Sequence, residues 1–148
     1  MYNKTESEWT RELCKELHKI GVMTRPLVGG AMTPDGWEDR LIVTRFNIFL
    51  VEFKGPKTVV SPQQKIVLRK HHVLTPGDVF LARRNPGVRE GWLIHPRSFE
   101  PVLPFVFGPL FVKSLFLARR IVQESHQMEN GLSLEEARQE YFQRLYLA

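Results

Sequence analysis

The segment that ends Val51-Glu52-Phe53-Lys54 has an apolar strand pattern, yet it carries a carboxylate and an ammonium two residues apart. Side chains alternate faces along a strand, so Glu52 and Lys54 point the same way. Asp39 stands thirteen residues upstream of Glu52, and a tight hairpin between them would bring the two carboxylates level. Two carboxylates that close repel each other unless a cation lies between them, and an oxygen-rich site suits Mg²⁺ or Mn²⁺. A hard divalent ion held this way polarises a phosphate and lowers the pKa of bound water, while a lysine orients that water or neutralises developing charge. This is the equipment for hydrolysing a phosphodiester. The same residues also allow a plain ion pair between Glu52 and Lys54, or solvated strand ends, because such pairs occur without function.

The elements that must position these groups follow from spacing. Ser7 to Ile20 is predicted to be a helix, since Trp9, Leu13, Leu17 and Ile20 recur on one helical face and Gly21 ends it. Val28 to Trp37 is dense in Gly and Pro and is expected to be a loop. Arg40 to Thr44 and Ile48 to Lys54 are expected to form a hairpin around Arg45-Phe46-Asn47. Gly55-Pro56 stops the second strand. Ser61-Pro62-Gln63-Gln64 then opens a helix to about His72, with Ser61 as N-cap, Pro62 at the first helical position and Gln64 completing a capping box. Asp78 to Arg83 and Gly91 to His95 are expected strands flanking the turn Arg84 to Arg89. The order αββαββ implies an α/β or α+β core over residues 1–96. Residues 97–148 are expected to be a helical C-terminal extension, with helices at Pro109 to Gln127 and after the capping box Ser133 to Glu136, packed on the core or at a dimer interface.

With 148 residues the chain fits one domain, and 43% hydrophobic against 25% charged residues is the composition of a folded protein. The single cysteine, Cys14, excludes an internal disulfide, and five scattered histidines give no zinc spacing. The polar start is not expected to act as a secretory signal, and Pro101 to Leu117, interrupted by Pro, Gly and Lys, is not expected to cross a membrane. A cytoplasmic setting is expected. The net charge is +5, and all of that surplus lies in residues 1–100, which suits an anionic partner such as nucleic acid.

Taken together, the motifs resemble the VRR-NUC branch of the PD-(D/E)XK nucleases. The resemblance rests on Glu8 in the first helix, Gly36-Trp37-Glu38-Asp39-Arg40, Val51-Glu52-Phe53-Lys54-Gly55-Pro56, and Ser61-Pro62-Gln63-Gln64, in that order over residues 5–83. Glu38 stands where the family usually has proline. The resemblance implies a restriction-endonuclease-like core, a mixed central sheet flanked by helices. It implies that Asp39 and Glu52 bind Mg²⁺ or Mn²⁺ with the Phe53 carbonyl, and that Lys54 positions the attacking water. It also implies that Glu8 reaches the metal or its water shell and that Gln64 lines the site. Two of these roles have local alternatives. Glu8 is a favourable charge in a first helical turn, with Glu12 next in line for the same role and Glu6 after it, and the capping box accounts for Gln64 without catalysis. Compact members of the family resemble phage or bacterial proteins that act as dimers on branched DNA, which implies a structure-selective endonuclease in a bacterial or phage-infected cell. The competing expectation is a non-catalytic nucleic-acid-binding or protein-assembly module on the same fold.

Further candidates for contact with a DNA backbone are Lys65, Arg69 and Lys70, with His71 and His72, along one helix, and Arg83, Arg84 and Arg89 around one turn. Trp37 and Trp92 could stack on bases or pack in the core, and the lone His95 and His126 are expected to be structural. Leu110, Phe111, Val112, Leu115, Phe116 and Leu117 make the helix after Pro109 apolar around most of its circumference, so it is expected either to cover the sheet or to pair with a second copy.

Overall fold

Residues 2–27 and 40–129 are described in the computed structural model. The elements are α1 (Glu6–Lys19), β1 (Met23–Pro26), β2 (Arg40–Val43), β3 (Ile48–Lys54), α2 (Pro62–Leu74), β4 (Val79–Arg84), β5 (Glu90–Ile94), β6 (Pro101–Val106) and α3 (Pro109–Glu129). The six strands form one sheet in sequence order. All neighbours pair antiparallel except β3 and β4, which run parallel and are joined through α2. The expected mixed sheet flanked by helices is therefore present.

The hairpin forms with Arg40 opposite Val51 and Val43 opposite Ile48. Its turn is closed at Thr44: the Thr44 amide and hydroxyl both donate to the Asn47 carbonyl, at 2.9 and 2.8 Å. Alternation along β3 then sorts its residues. Phe49, Val51 and Phe53 join the large core beneath α1 and α3, with Trp9, Leu13, Leu17, Phe105, Phe111 and Leu115. Leu50 and Leu81 face the other way, onto a smaller cluster with Val60, Leu68 and Val79. Phe53 is held edge-on by Trp9 at 5.3 Å and stacked by Phe111 at 6.2 Å. That anchorage fixes Glu52 and Lys54 on the opposite, α2-bearing face.

Two strands depart from the expected order. β1 has no sequence pattern to mark it, because Met23-Thr24-Arg25-Pro26 has no buried residue and hence no alternation to detect. Pro101–Val106 belongs to the sheet rather than to a helical extension. Its prolines disguise it, but a strand at the rim of a sheet leaves one row of amides without a ladder partner, so proline costs nothing there. Residues 97–129 thus contribute an edge strand and a core helix to one body with the preceding segment. The expected loop from Val28 to Trp37 and the helix after Ser133 lie outside the described residues. Among the described residues, no helix is long and apolar enough to cross a membrane.

Candidate functional site

Glu52 and Lys54 end β3 with their charged groups inside the protein: Glu52 is 1% and Lys54 6% exposed. Lys54 Nζ lies 3.3 Å from Glu52 Oε1. The same carboxylate oxygen accepts a hydrogen bond from Gln64 Nε2 at 2.9 Å. Gln64 Oε1 meanwhile accepts from the Ser61 amide at 3.0 Å, and the Ser61 hydroxyl accepts from the Gln64 amide at 3.1 Å. The two accounts of Gln64 in the sequence are therefore both realised in one side chain: its oxygen caps α2 and its nitrogen holds Glu52. Capping fixes where α2 begins, and that fixes the Gln64 amide over the end of β3.

Helix α1 supplies a second carboxylate, though from Glu6 rather than Glu8. Glu6 Oε2 accepts from the Gly55 amide at 3.1 Å, immediately after Lys54. Glu8 is turned outward into the capping box with Thr5, receiving the Thr5 amide at 3.3 Å. Glu12 is occupied by the Tyr2 hydroxyl at 2.6 Å and Arg89 at 2.8 Å. The helix phase explains this division. Glu6 lies three residues before Trp9, which is buried against Phe53, so it shares the face turned to β3, whereas Glu8 does not. The position of Trp9 in the sequence was the signal for Glu6.

Asp39 lies outside the described residues, as do Trp37 and Glu38. The β2–β3 pairing is described up to Arg40 opposite Val51, the neighbour of Asp39 opposite the neighbour of Glu52. Among the described residues, no group of three or more His, Cys, Asp or Glu side chains is placed to hold a metal ion. The Glu52 carboxylate is a buried oxygen donor of the kind that suits a hard divalent ion, and Glu6 lies three residues further along, at Gly55. The Phe53 side chain is wholly in the core.

The basic residues divide differently from expectation. Arg83 donates to the carbonyls of Gly55 and Thr58 at 2.9 and 2.8 Å, tying down the loop between β3 and α2. Arg84 is buried, bonds the Lys4 carbonyl at 3.0 Å and stacks over the Tyr2 ring. Arg89 pairs with Glu12. Alternation is the reason: Arg83 and Arg84 are consecutive strand residues, so they point to opposite faces and cannot form one cluster. Lys65, Arg69 and Lys70 are exposed on α2, Lys65 lying over the Phe99 ring. His72 is buried edge-on against His95 at 4.6 Å, a structural arrangement for both. An open cleft of about 650 Å³ begins at Gly55, the residue after Lys54, and is lined by Tyr2 to Glu6, Gly55 to Thr58, Arg84, Pro86 and Gly87. It brings in Lys4 and Lys57, two cations without any motif to mark them in the sequence.

Comparison with known proteins adds a likeness of structure. No family model matches the chain, and no curated protein does. Among solved structures it is similar to Hjc, a Holliday junction resolvase of Archaeoglobus fulgidus, at 16% identity and a TM-score of 0.47, covering 68% of this chain and 87% of that one. A superposition of that quality assigns neither family nor activity to this chain. The site stands on its own geometry: a buried carboxylate, an ammonium and an amide converge at the end of one strand.

Proposed function

We propose that the protein is a metal-dependent DNA endonuclease that hydrolyses phosphodiester bonds and selects branched or junction DNA by shape. The observation that carries this reading is the buried Glu52–Lys54–Gln64 cluster at the end of β3, where a charged pair is costly to hold unless it serves a purpose. Asp39, next in sequence to Arg40, would join Glu52 and the Phe53 carbonyl in holding Mg²⁺ or Mn²⁺. When bound, that ion would acidify water and offset phosphate charge. Gln64 fixes the Glu52 carboxylate by donating to Oε1. Lys54, already beside that oxygen, would donate to the attacking water and orient it. Glu6, through the Gly55 amide, holds the backbone that follows Lys54, and takes the helix-borne role that the family pattern gives to Glu8. Lys4 and Lys57 in the cleft, with Lys65, Arg69 and Lys70 on α2, would meet the phosphate backbone. Two copies, related by a twofold axis, would present two such sites to paired strands.

The test is purified protein on duplex, flap, splayed and four-way DNA, with Mg²⁺, with Mn²⁺ and with chelator. Cutting of branched substrates that needs the metal and disappears in Lys54→Met supports the reading, and cutting by Lys54→Met at the normal rate sinks it. One observation favours a second reading, a non-catalytic DNA-binding module: Glu52 and Lys54 already satisfy each other at 3.3 Å. DNA binding without cleavage under any metal would establish that alternative.

A further inference from the structure

Register places Lys54, Arg83, Trp92 and Pro104 side by side across β3, β4, β5 and β6. All four stand on the face of the sheet that carries α2. That helix covers only part of the face, through Leu68 against Val79 and Leu81, with Ile94 at the margin. Trp92, two residues before Ile94, is 40% exposed, while its neighbour Leu93 is fully buried on the opposite face. Among the described residues, no aromatic ring packs on Trp92. Strands lie about 4.8 Å apart, so the indole begins about 10 Å from the Lys54 position, one to two nucleotides of chain away. Arg83, pinned by Gly55 and Thr58, stands between them as a fixed positive charge. Glu90 and Val106 flank the row at its open end.

We propose that Trp92 is a stacking platform for an unpaired base, so that a single-stranded arm of the DNA crosses the sheet from Lys54 over Arg83 to Trp92. The inference deepens the nuclease reading and rests on it for its substrate. An exposed indole offers a broad π-face, and every base has one to match; the intervening guanidinium suits the phosphate that joins two nucleotides. A double helix would not serve, because its bases are already stacked on one another. Charge favours this occupant over a proline-rich peptide, which would use the Trp92–Pro104 surface without any need of Arg83.

The test uses the full-length chain with Trp37→Phe and chelator present, so that nothing is cut. Only Trp9, which is fully buried, and Trp92 then emit. Addition of a twelve-residue oligothymidine should quench the exposed component of the emission, and the matching blunt duplex should not. Trp92→Leu should weaken oligothymidine binding about tenfold or more, and Trp92→Phe should retain most of it. Circular dichroism and thermal melting check that each variant is folded. Equal binding by folded Trp92→Leu, absence of quenching, or quenching by a proline-rich peptide but not by oligothymidine would each overturn the proposal. Cleavage of a splayed substrate, measured separately with Mg²⁺, keeps the two readings apart. A protein that cuts but ignores Trp92→Leu loses the platform and keeps the nuclease; one that stacks oligothymidine but never cuts does the reverse.

Discussion

At the scale of residues, the decisive fact is that Glu52 and Lys54 are both buried and share one carboxylate oxygen with Gln64. From the sequence, with Asp39 and Glu52 seen only as mutually repelling carboxylates, neutralising Glu52 should leave stability unchanged or raise it. The ion pair reverses that expectation, because Glu52→Gln leaves an ammonium buried without its counter-charge. We expect Glu52→Gln and Lys54→Met each to lose about 3 kcal/mol of metal-free stability. The double variant should lose less than the sum, since it removes both charges together. Urea unfolding of the four proteins in a double-mutant cycle checks this, and simple additivity would show that the two side chains do not interact. Tyr2 provides a pH-dependent counterpart. Partial burial, then the hydrogen bond to Glu12, pushes its phenol from the ordinary 10.0 up to about 12. The folded state therefore favours the neutral phenol, and the stabilisation is complete below pH 10 and lost as pH rises from 10 to 12. Tyr2→Phe should be less stable than the parent at pH 8 and should lose the part of the alkaline decline that belongs to this group, as read from urea midpoints between pH 8 and 12.

Among the elements, those with strong periodicity were readable in advance and those without it were not. Trp9, Leu13 and Leu17 marked α1, Ser61-Pro62 and Gln64 marked the start of α2, and the apolar run from Ile48 marked β3, because in each case burial or capping imposes a pattern on residue types. β1 and β6 imposed none: one is exposed along its length and the other is an edge strand containing two prolines. The same division applies to the site. Glu52, Lys54 and Gln64 are local to one strand and one helix start, so spacing found them. Spacing from Trp9 carries a signal for Glu6, but its contact with Gly55, 49 residues away, and the inward turn of Arg84 to Lys4, 80 residues away, depend on how the chain crosses the sheet, which spacing does not encode. Strand β5 carries a further consequence of close packing. A Cβ at Gly91 would strike the backbone carbonyl of Arg83 and the ring of Phe105, and neither the ladder nor the core can give way cheaply. Gly91→Ala should therefore lose about 3 kcal/mol or more of stability and disturb Arg83, the neighbour of its register partner Arg84 on β4. A thermal melt within a degree or two of the parent would show that β5 can shift away from β4.

For the whole molecule, charge and the outer surface of α3 govern encounters. Arg84 and Arg89 are tied to an internal carbonyl and to Glu12, so much of the counterion release on binding DNA should come from Lys65, Arg69 and Lys70. Replacing those three by Gln should flatten the dependence of log K on log salt by about 2 to 3, whereas Arg84→Gln should weaken the fold and leave the slope alone. The apolar circumference of α3 is divided in two. Phe111, Leu115, Ala118 and Val122 complete the main core, so much of the helix is accounted for within one chain. Leu110, Leu117 and Ile121 remain 55, 41 and 44% exposed, spaced seven and four residues apart in a second stripe on the outer side. A stripe of that kind costs little to bury against its own symmetry mate, since a twofold axis presents the same residues from both sides. We propose the homodimer on this stripe. Light scattering should then give twice the 17.3 kDa chain mass, and Leu117→Asp with Ile121→Asp should return it to a single chain with the melting temperature of the fold largely kept. Paired cuts on a four-way junction should fall with the dimer, while nicking by each separate site continues. A parent protein that scatters as one chain at every concentration would remove the dimer, and any paired cutting would then arise from two independent encounters.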